Sequence, residues 1–291
     1  MKSFVWHTPV LYNIIAFSIA AAGAFALSPL FCPLAARLGA MDVPTDSRRM
    51  HKRPIPRIGG LAVFIGFLLS VSIFDNNVAL LSGALVIVSI GIVDDIYRIS
   101  AYQKLIFQMI AAAVAISFGA RAPIADGFIS TAFSLAWLVV LPNAFNLIDG
   151  LDGLCARASL FAALALFAMS GSVAAVALAG AIVGFLPFNL RPAKIFLGDT
   201  GSLFVGFTLG VISLGSITTA KSFISMLFVF ALPLADTAYA FFRRISKGKN
   251  PFAPDREHFH HKLVDRGFSH KEASLLLSLV SLALCAIATA M

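Results

Sequence analysis

The stretch L-C-A-R-A-S-L-F-A-A-L-A-L-F-A-M-S-G-S-V-A-A-V-A-L-A-G-A-I-V-G-F-L-P-F, from Leu154 to Phe188, contains a single charged residue, Arg157. It divides into two apolar runs, near residues 154 to 170 and 172 to 188. A helix needs about 20 apolar residues to cross a hydrocarbon layer of roughly 30 Å, with about 17 as the lower limit, so each run reads as a short membrane helix. Working outward, eight more runs of the same kind lie near residues 10 to 34, 58 to 74, 77 to 93, 101 to 119, 128 to 145, 202 to 218, 222 to 242 and 273 to 290. Of 291 residues, 59% are apolar and only 12% charged, with 27 Phe and a mean hydropathy of +0.91. That composition excludes a soluble globular domain and a disordered chain. The expected fold is all-α, a polytopic membrane helical bundle of about ten transmembrane helices forming one integral-membrane domain over residues 1 to 291. No fixed-period repeat or low-complexity tract interrupts it.

Basic residues set the orientation. If the N-terminus is outside, the cytoplasmic segments are 35 to 57, 94 to 104, 146 to 157, 189 to 201 and 243 to 272, and they hold 19 of the 22 Lys and Arg. Only Lys2, Arg121 and Lys221 fall elsewhere, a pronounced positive-inside bias. Both termini are then outside. In a soluble protein the net charge of +8 would raise nucleic acid as a partner; here the distribution follows the membrane, and membrane lipid rather than nucleic acid is expected. Ala24-Phe25-Ala26 resembles a signal-peptidase site, but the basic residues follow the apolar run instead of preceding it, so the first run reads as a retained helix. Cys32, Cys155 and Cys285 lie far apart, with no C-x-x-C spacing and no zinc or disulfide framework.

The same five segments carry 11 of the 14 acids and five of the six His, which charge bias does not require. A polar site facing the cytoplasm explains the gathering. Between Asp42 and Gly60 the chain reads D-V-P-T-D-S-R-R-M-H-K-R-P-I-P-R-I-G-G. A lipid-binding basic loop is one reading, but three prolines and Gly59-Gly60 give it more rigidity than a tether needs. Asp94 and Asp95 end the third run; a carboxylate pair at a membrane boundary is either a solvated helix end, a base with a raised pKa, or a shared ligand for a hard cation. Lys104 follows nine residues later as a point charge for phosphate. In N-A-F-N-L-I-D-G-L-D-G, from Asn143 to Gly153, Asn146, Asp149 and Asp152 recur every three residues, which on a helical turn places them on roughly one face. In N-L-R-P-A-K-I-F-L-G-D-T-G-S, Gly198 and Gly201 flank Asp199 and Thr200 before an apolar helix, so free N–H groups there are expected to meet an anion while Asp199 reaches a metal. Arg191 and Lys194 favour phosphate. D-R-E-H-F-H-H, from Asp255 to His261, offers an Arg and three imidazoles as phosphate donors; without Cys, zinc fits less well. Asp236 is the one acid inside an apolar run and reads as structural, paired with a basic group.

Two family patterns bear on these strings. D-G-L-C-A-R, residues 152 to 157, resembles the opening of the CDP-alcohol phosphatidyltransferases, but Leu166, Ser170 and Ala174 stand where that family continues with Gly, Asp and Asp. The ordered set R-x-x-H-K-x-P-I-P-x-x-G-G, Asp94-Asp95, N-x-x-N-x-x-D-G-x-D-G, G-D-x-G-S and H-x-H-H resembles the polyprenyl-phosphate N-acetylhexosamine-1-phosphate transferases of glycosyltransferase family 4. Its His258-Phe259-His260-His261 string is similar to the branch that transfers N-acetylglucosamine-1-phosphate or a related N-acetylhexosamine phosphate, which places the substrate class and not the exact sugar. The phospho-N-acetylmuramoyl-pentapeptide transferases look to carry three contiguous histidines instead.

What the resemblance implies is a Mg²⁺-dependent enzyme, with Mn²⁺ able to substitute, in the bacterial inner membrane. Undecaprenyl phosphate attacks the β-phosphorus of a UDP-N-acetylhexosamine, UMP leaves, and the first lipid-linked intermediate of a cell-envelope glycan forms. Two like charges at 4 Å repel by about 4 kcal/mol at an effective dielectric of 20, so the anionic reactants need cations between them. The resemblance assigns Asn146 and Asp199 to the metal, Asp94 to the base, and Asp95 and Lys104 to positioning at the catalytic centre. It places a uridine pocket at Asp149, Gly150, Leu151 and Asp152, with His51, Arg256, His258, His260 and His261 also binding substrate, and implies a homodimer by analogy. From another class, a secondary transporter remains open, although transporters place their ionisable groups near the midplane.

Overall fold

The structure is a computed structural model and describes residues 8 to 44, 53 to 124, 127 to 248 and 258 to 291. Its helices are α1 (Thr8–Leu38), α2 (Gly59–Phe74), α3 (Val78–Tyr97), α4 (Ala101–Ser117), α5 (Phe128–Ile148), α6 (Leu154–Ser170), α7 (Val173–Asn189), α8 (Gly198–Leu214), α9 (Ala220–Val229), α10 (Ala231–Ser246), α11 (Phe259–Asp265) and α12 (His270–Ala290). Two short strands, β1 (Met41–Asp42) and β2 (Ile55–Pro56), pair antiparallel between α1 and α2.

Each of the ten apolar runs carries helix, but the helices differ in length. Four (α1, α3, α5 and α12) are long and apolar enough to cross a membrane, or five if the bent pair α9 and α10 counts as one span. The other apolar helices have 16 or 17 residues, about 25 Å at 1.5 Å per residue, shorter than a 30 Å hydrocarbon layer. The run from 222 to 242 is broken by an 82° bend. Pro233 sits in the first turn of α10, where its missing N–H costs no helical bond, so the chain can start a new helix there in a new direction.

α8 is the axis of the fold. Nearly all its residues are buried, and α2, α3, α5, α6 and α7 pack around it. A helix that is apolar on nearly every side suits such a central place. Gly60 lets α2 cross it closely: a Cβ there would collide with the backbone of Gly201 and Thr200. Because α8 begins where α3 and α5 end and α4 begins, the polar ends of all four meet at one end of the bundle.

Candidate functional site

Asp199 stands in the first turn of α8. Its Oδ1 accepts from Lys104 Nζ at 3.1 Å and from the Asn146 amide; its Oδ2 accepts from Arg57 at 3.0 Å. Lys104 comes from the first turn of α4, which starts on a capping box made by Ser100 and Gln103. It also pairs with Asp94, whose other oxygen accepts the Ile99 N–H at 2.8 Å. Asn146 lies in the last turn of α5 and donates to Ser202 Oγ at 2.9 Å as well.

Asp95 serves the backbone. Its oxygens accept the N–H groups of Asp199 and Thr200, each at 2.9 Å, and the Thr200 hydroxyl at 2.6 Å. The expectation that the amides opening α8 stay free for a substrate anion is therefore corrected: the positive helix end is already occupied by an anion from α3. Arg57 spans both acids, 3.5 Å from Asp95 and 3.0 Å from Asp199. It reaches them because its segment is strapped to the chain before α8: Phe196 N–H donates to Pro56 O at 2.8 Å, Gly59 N–H to Phe196 O at 3.0 Å and Gly60 N–H to Leu197 O at 2.8 Å.

Beside this cluster opens a cavity of about 410 Å³, lined by Arg57, Asn146, Asp149, Gly150, Leu151, Asp152, Asp199, His260 and His261, with Asp42, Asn189, Arg191, Phe196, Gly198 and His270 completing its wall. Asp149 and Asp152 reach it by a route other than the one-face helical turn expected for them. α5 stops at Ile148, Asp149 caps it, and residues 149 to 153 form a turn, as two Asp-Gly pairs favour. Burial, reinforced by the charges of Asp199 and Asp95, pushes the Asp149 carboxyl well above the usual range. Asp152 accepts from the Ala193 N–H at 3.2 Å and lies 3.6 Å from Arg191.

The histidine string closes the far side. His260 is buried, and burial lowers its pKa to about 3, so it meets the cavity as a neutral imidazole, a hydrogen-bonding group and not a cation. Its ring lies against Gly150, where a Cβ would collide with it. His258 stacks parallel to His260, with centroids 5.8 Å apart, and donates from Nδ1 to Asp236 Oδ2 at 2.7 Å. Asp236 therefore pairs with an imidazole.

Of the residues singled out from sequence, Asn146, Asp149, Gly150, Leu151, Asp152, Asp199, His260 and His261 share the cavity wall. Asp94, Asp95 and Lys104 are joined to it through Asp199, and His258 stands behind His260. His51 and Arg256 lie outside the described residues. Two residues escaped the sequence reading. Arg57 looked like one more basic residue of the first loop, its only signal being its place inside the rigid P-I-P-R-I-G-G string. Asp236 was marked as the lone acid of an apolar run, without its partner.

Buried helices of high apolarity around one charged end mark a multi-pass membrane protein with a polar cavity. Residues 77 to 217 match the model of glycosyl transferase family 4. The chain is 34% identical to the "Probable undecaprenyl-phosphate N-acetylglucosaminyl 1-phosphate transferase" of Bacillus subtilis (strain 168), over 92% of this chain and 81% of that protein. It is 34% identical to the undecaprenyl-phosphate alpha-N-acetylglucosaminyl 1-phosphate transferase of Thermotoga maritima, over 81% and 77%. To the protein of the same description in Escherichia coli (strain K12) it is 31% identical, over 87% and 77%. The chain belongs to glycosyl transferase family 4, and is accordingly a transferase of a bacterial membrane.

Proposed function

We propose that this protein transfers N-acetylglucosamine-1-phosphate from its UDP derivative to undecaprenyl phosphate, releasing UMP and forming the undecaprenyl-diphosphate sugar. The observation that carries this reading is the convergence on Asp199 of Asn146, Lys104 and Arg57 at the wall of a cavity whose other side is the Asp149–Asp152 turn and His260. Such a cavity offers cations for two phosphates and polar groups for a nucleotide, while apolar helices surround it.

Magnesium fits the donors present. Among the described residues no three His, Cys, Asp or Glu side chains are grouped to enclose a metal. Mg²⁺ is commonly held by one or two protein oxygens, several waters and substrate phosphates, which is what Asp199 and an Asn146 amide oxygen would supply. The Asn146 amide donates to Asp199 and Ser202; turned about its last bond it presents oxygen instead. Bound there, Mg²⁺ or Mn²⁺ would neutralise charge on the diphosphate.

The chain's own residues divide the remaining work. Lys104, between Asp94 and Asp199, is the cation placed for the lipid phosphate. Asp94 is the group that keeps that phosphate ionised, a light duty since its second pKa is about 6. Asp95 acts through Asp199 by fixing the start of α8. Asp149, Gly150, Leu151 and Asp152 receive the uridine. His260 and His261 face the diphosphate, His258 supports His260 from behind, and the resemblance adds His51 and Arg256 as substrate-binding residues. In the membrane we place ten spans forming one domain, both termini outside and the cavity facing the cytoplasm of the inner membrane, as the bias of 19 of 22 basic residues supports. A homodimer is part of this proposal.

The test is UMP release by purified protein with UDP-N-acetylglucosamine, undecaprenyl phosphate and Mg²⁺. Asp199→Asn should abolish turnover while leaving the protein folded. Near-normal turnover in that variant removes the metal assignment, and no UMP with any UDP-sugar returns the transport reading.

A further inference from the structure

Asp236 stands on α10, three residues after Pro233, and is 1% exposed. A lone carboxylate in an apolar setting is costly unless its oxygens are used. Here both serve one neighbouring segment: Oδ2 receives His258 Nδ1 at 2.7 Å, and Oδ1 accepts the Phe259 N–H at 2.8 Å. The two bonds fix the place and ring plane of His258. Parallel to that ring, at 5.8 Å and 4°, lies His260, which enters the cavity against Gly150. The contacts run in order from Asp236 to His258, to His260, to the cavity.

We propose that Asp236 is a positioning residue for sugar-phosphate transfer, holding His258 as the Nδ1–H tautomer and so setting where His260 meets the substrate diphosphate. The inference rests on the transfer reading of the cavity. Its chemistry is specific to a carboxylate. Both partners donate, so a group with two acceptor oxygens satisfies them, whereas an asparagine offers one acceptor and turns a donor toward the other.

The experiment uses the full chain in detergent or nanodiscs, with Asp236→Asn, Asp236→Glu, His258→Gln and the double variant Asp236→Asn/His258→Gln. Carboxylates that orient imidazoles at metal sites are worth roughly 10- to 100-fold, and a loss of that order is expected here in kcat for Asp236→Asn, with KM for the UDP-sugar moving by no more than about twofold. Asp236→Glu should recover part of the loss. The double variant should be no slower than the worse single one, because the two residues act as a unit. Nitrogen-15 spectra of histidine-labelled protein should contain one carboxylate-bonded Nδ1–H that both Asp236→Asn and His258→Gln remove. Wild-type kcat in Asp236→Asn, multiplying losses in the double variant, a lower folded yield with normal kcat per folded molecule, or an unchanged nitrogen spectrum would each overturn the proposal. If the wild-type protein releases no UMP, it is the transfer reading that falls, and the nitrogen spectra then decide whether Asp236 sets the His258 tautomer.

Discussion

Replacing Asp95 by asparagine tests whether the charged end of the bundle is built on the start of α8. The Asp95 side chain is fully buried and accepts three hydrogen bonds, from the N–H groups of Asp199 and Thr200 and from the Thr200 hydroxyl, with Arg57 3.5 Å away. Asparagine keeps one oxygen. Whether its amide nitrogen takes the Thr200 side, where the hydroxyl can rotate to accept but the N–H cannot, or the Asp199 side, one backbone N–H loses its acceptor. One buried donor is left unpaired, at about 1–3 kcal/mol, and the loss of charge on the bonds that survive and on Arg57 adds roughly 1 kcal/mol. The sum, about 2–4 kcal/mol, corresponds to a fall of roughly 5–10 °C in the unfolding midpoint. Thermal unfolding of the purified variant in detergent reads this directly, and UMP release should fall with it as Asp199 loses its fixed place. Thr200→Val, which removes only the hydroxyl, should cost about 1 kcal/mol and retain turnover. An Asp95→Asn protein that melts at the wild-type temperature would refute the reasoning, since the opening turn of α8 would then be held by something else.

Three further outcomes are expected. In Gly150→Ala the new Cβ would lie 2.6 Å from Cε1 and 3.0 Å from Cδ2 of His260, so the ring must leave its place; the strain, about 1–3 kcal/mol, should lower UMP release about tenfold in protein that still folds. Turnover close to wild type would mean that His260 does not act from that position. Arg57 meets both Asp95 and Asp199 through one guanidinium nitrogen, Nη2, so Arg57→Lys keeps a single-nitrogen donor on a shorter side chain and should cost about 1 kcal/mol in thermal unfolding; no change would show that the bridge contributes nothing. His260 has a folded pKa of about 3 against 6.5 in the unfolded chain. As pH falls from about 6.5 toward 3, the unfolded chain takes up a proton that the folded one refuses, so this residue makes the protein less stable across that window; His260→Gln should flatten the slope, and an unaltered slope would place the titration elsewhere.

Much of this architecture is legible in the sequence because burial in lipid leaves so strong a contrast. The run expected at 154 to 170 is α6 residue for residue, and the run at 128 to 145 is α5 without its last turn. Hydropathy fails where a helix changes direction without changing composition. The run from 222 to 242 stays predominantly apolar across the bend, and only Pro233 marks the turn into α10. Site residues were found wherever their chemistry is locally unusual, as with Asp94-Asp95, the two Asp-Gly pairs and the histidine string. They were missed where their meaning depends on distant chain. Nothing near Arg57 announces that residues 196 and 197 will hold its backbone, and nothing near Asp236 announces His258. The Asn146, Asp149 and Asp152 spacing led to the right convergence through the wrong element, since a turn can gather side chains as well as a helical face does.

Asp94 and Asp95 show why two adjacent carboxylates end α3. Successive residues on a helix point about 100° apart, so the two carboxylates reach different groups. Asp95 turns inward to the backbone that opens α8; Asp94 turns toward α4 and takes Lys104. Asp199 is thereby held from both sides, its backbone fixed by Asp95 and its carboxylate faced by the lysine that Asp94 also holds. Three carboxylates and the two cations Lys104 and Arg57 leave one formal negative charge in this cluster, before Asp149 is counted. A centre built to attract phosphate alone would carry the opposite sign. Its excess of oxygen over cation fits a divalent ion arriving with the diphosphate, and predicts that raising Mg²⁺ strengthens UDP-sugar binding in wild-type protein but hardly at all in Asp199→Asn. Equal Mg²⁺ dependence in the two proteins would show that the ion binds the nucleotide without this carboxylate.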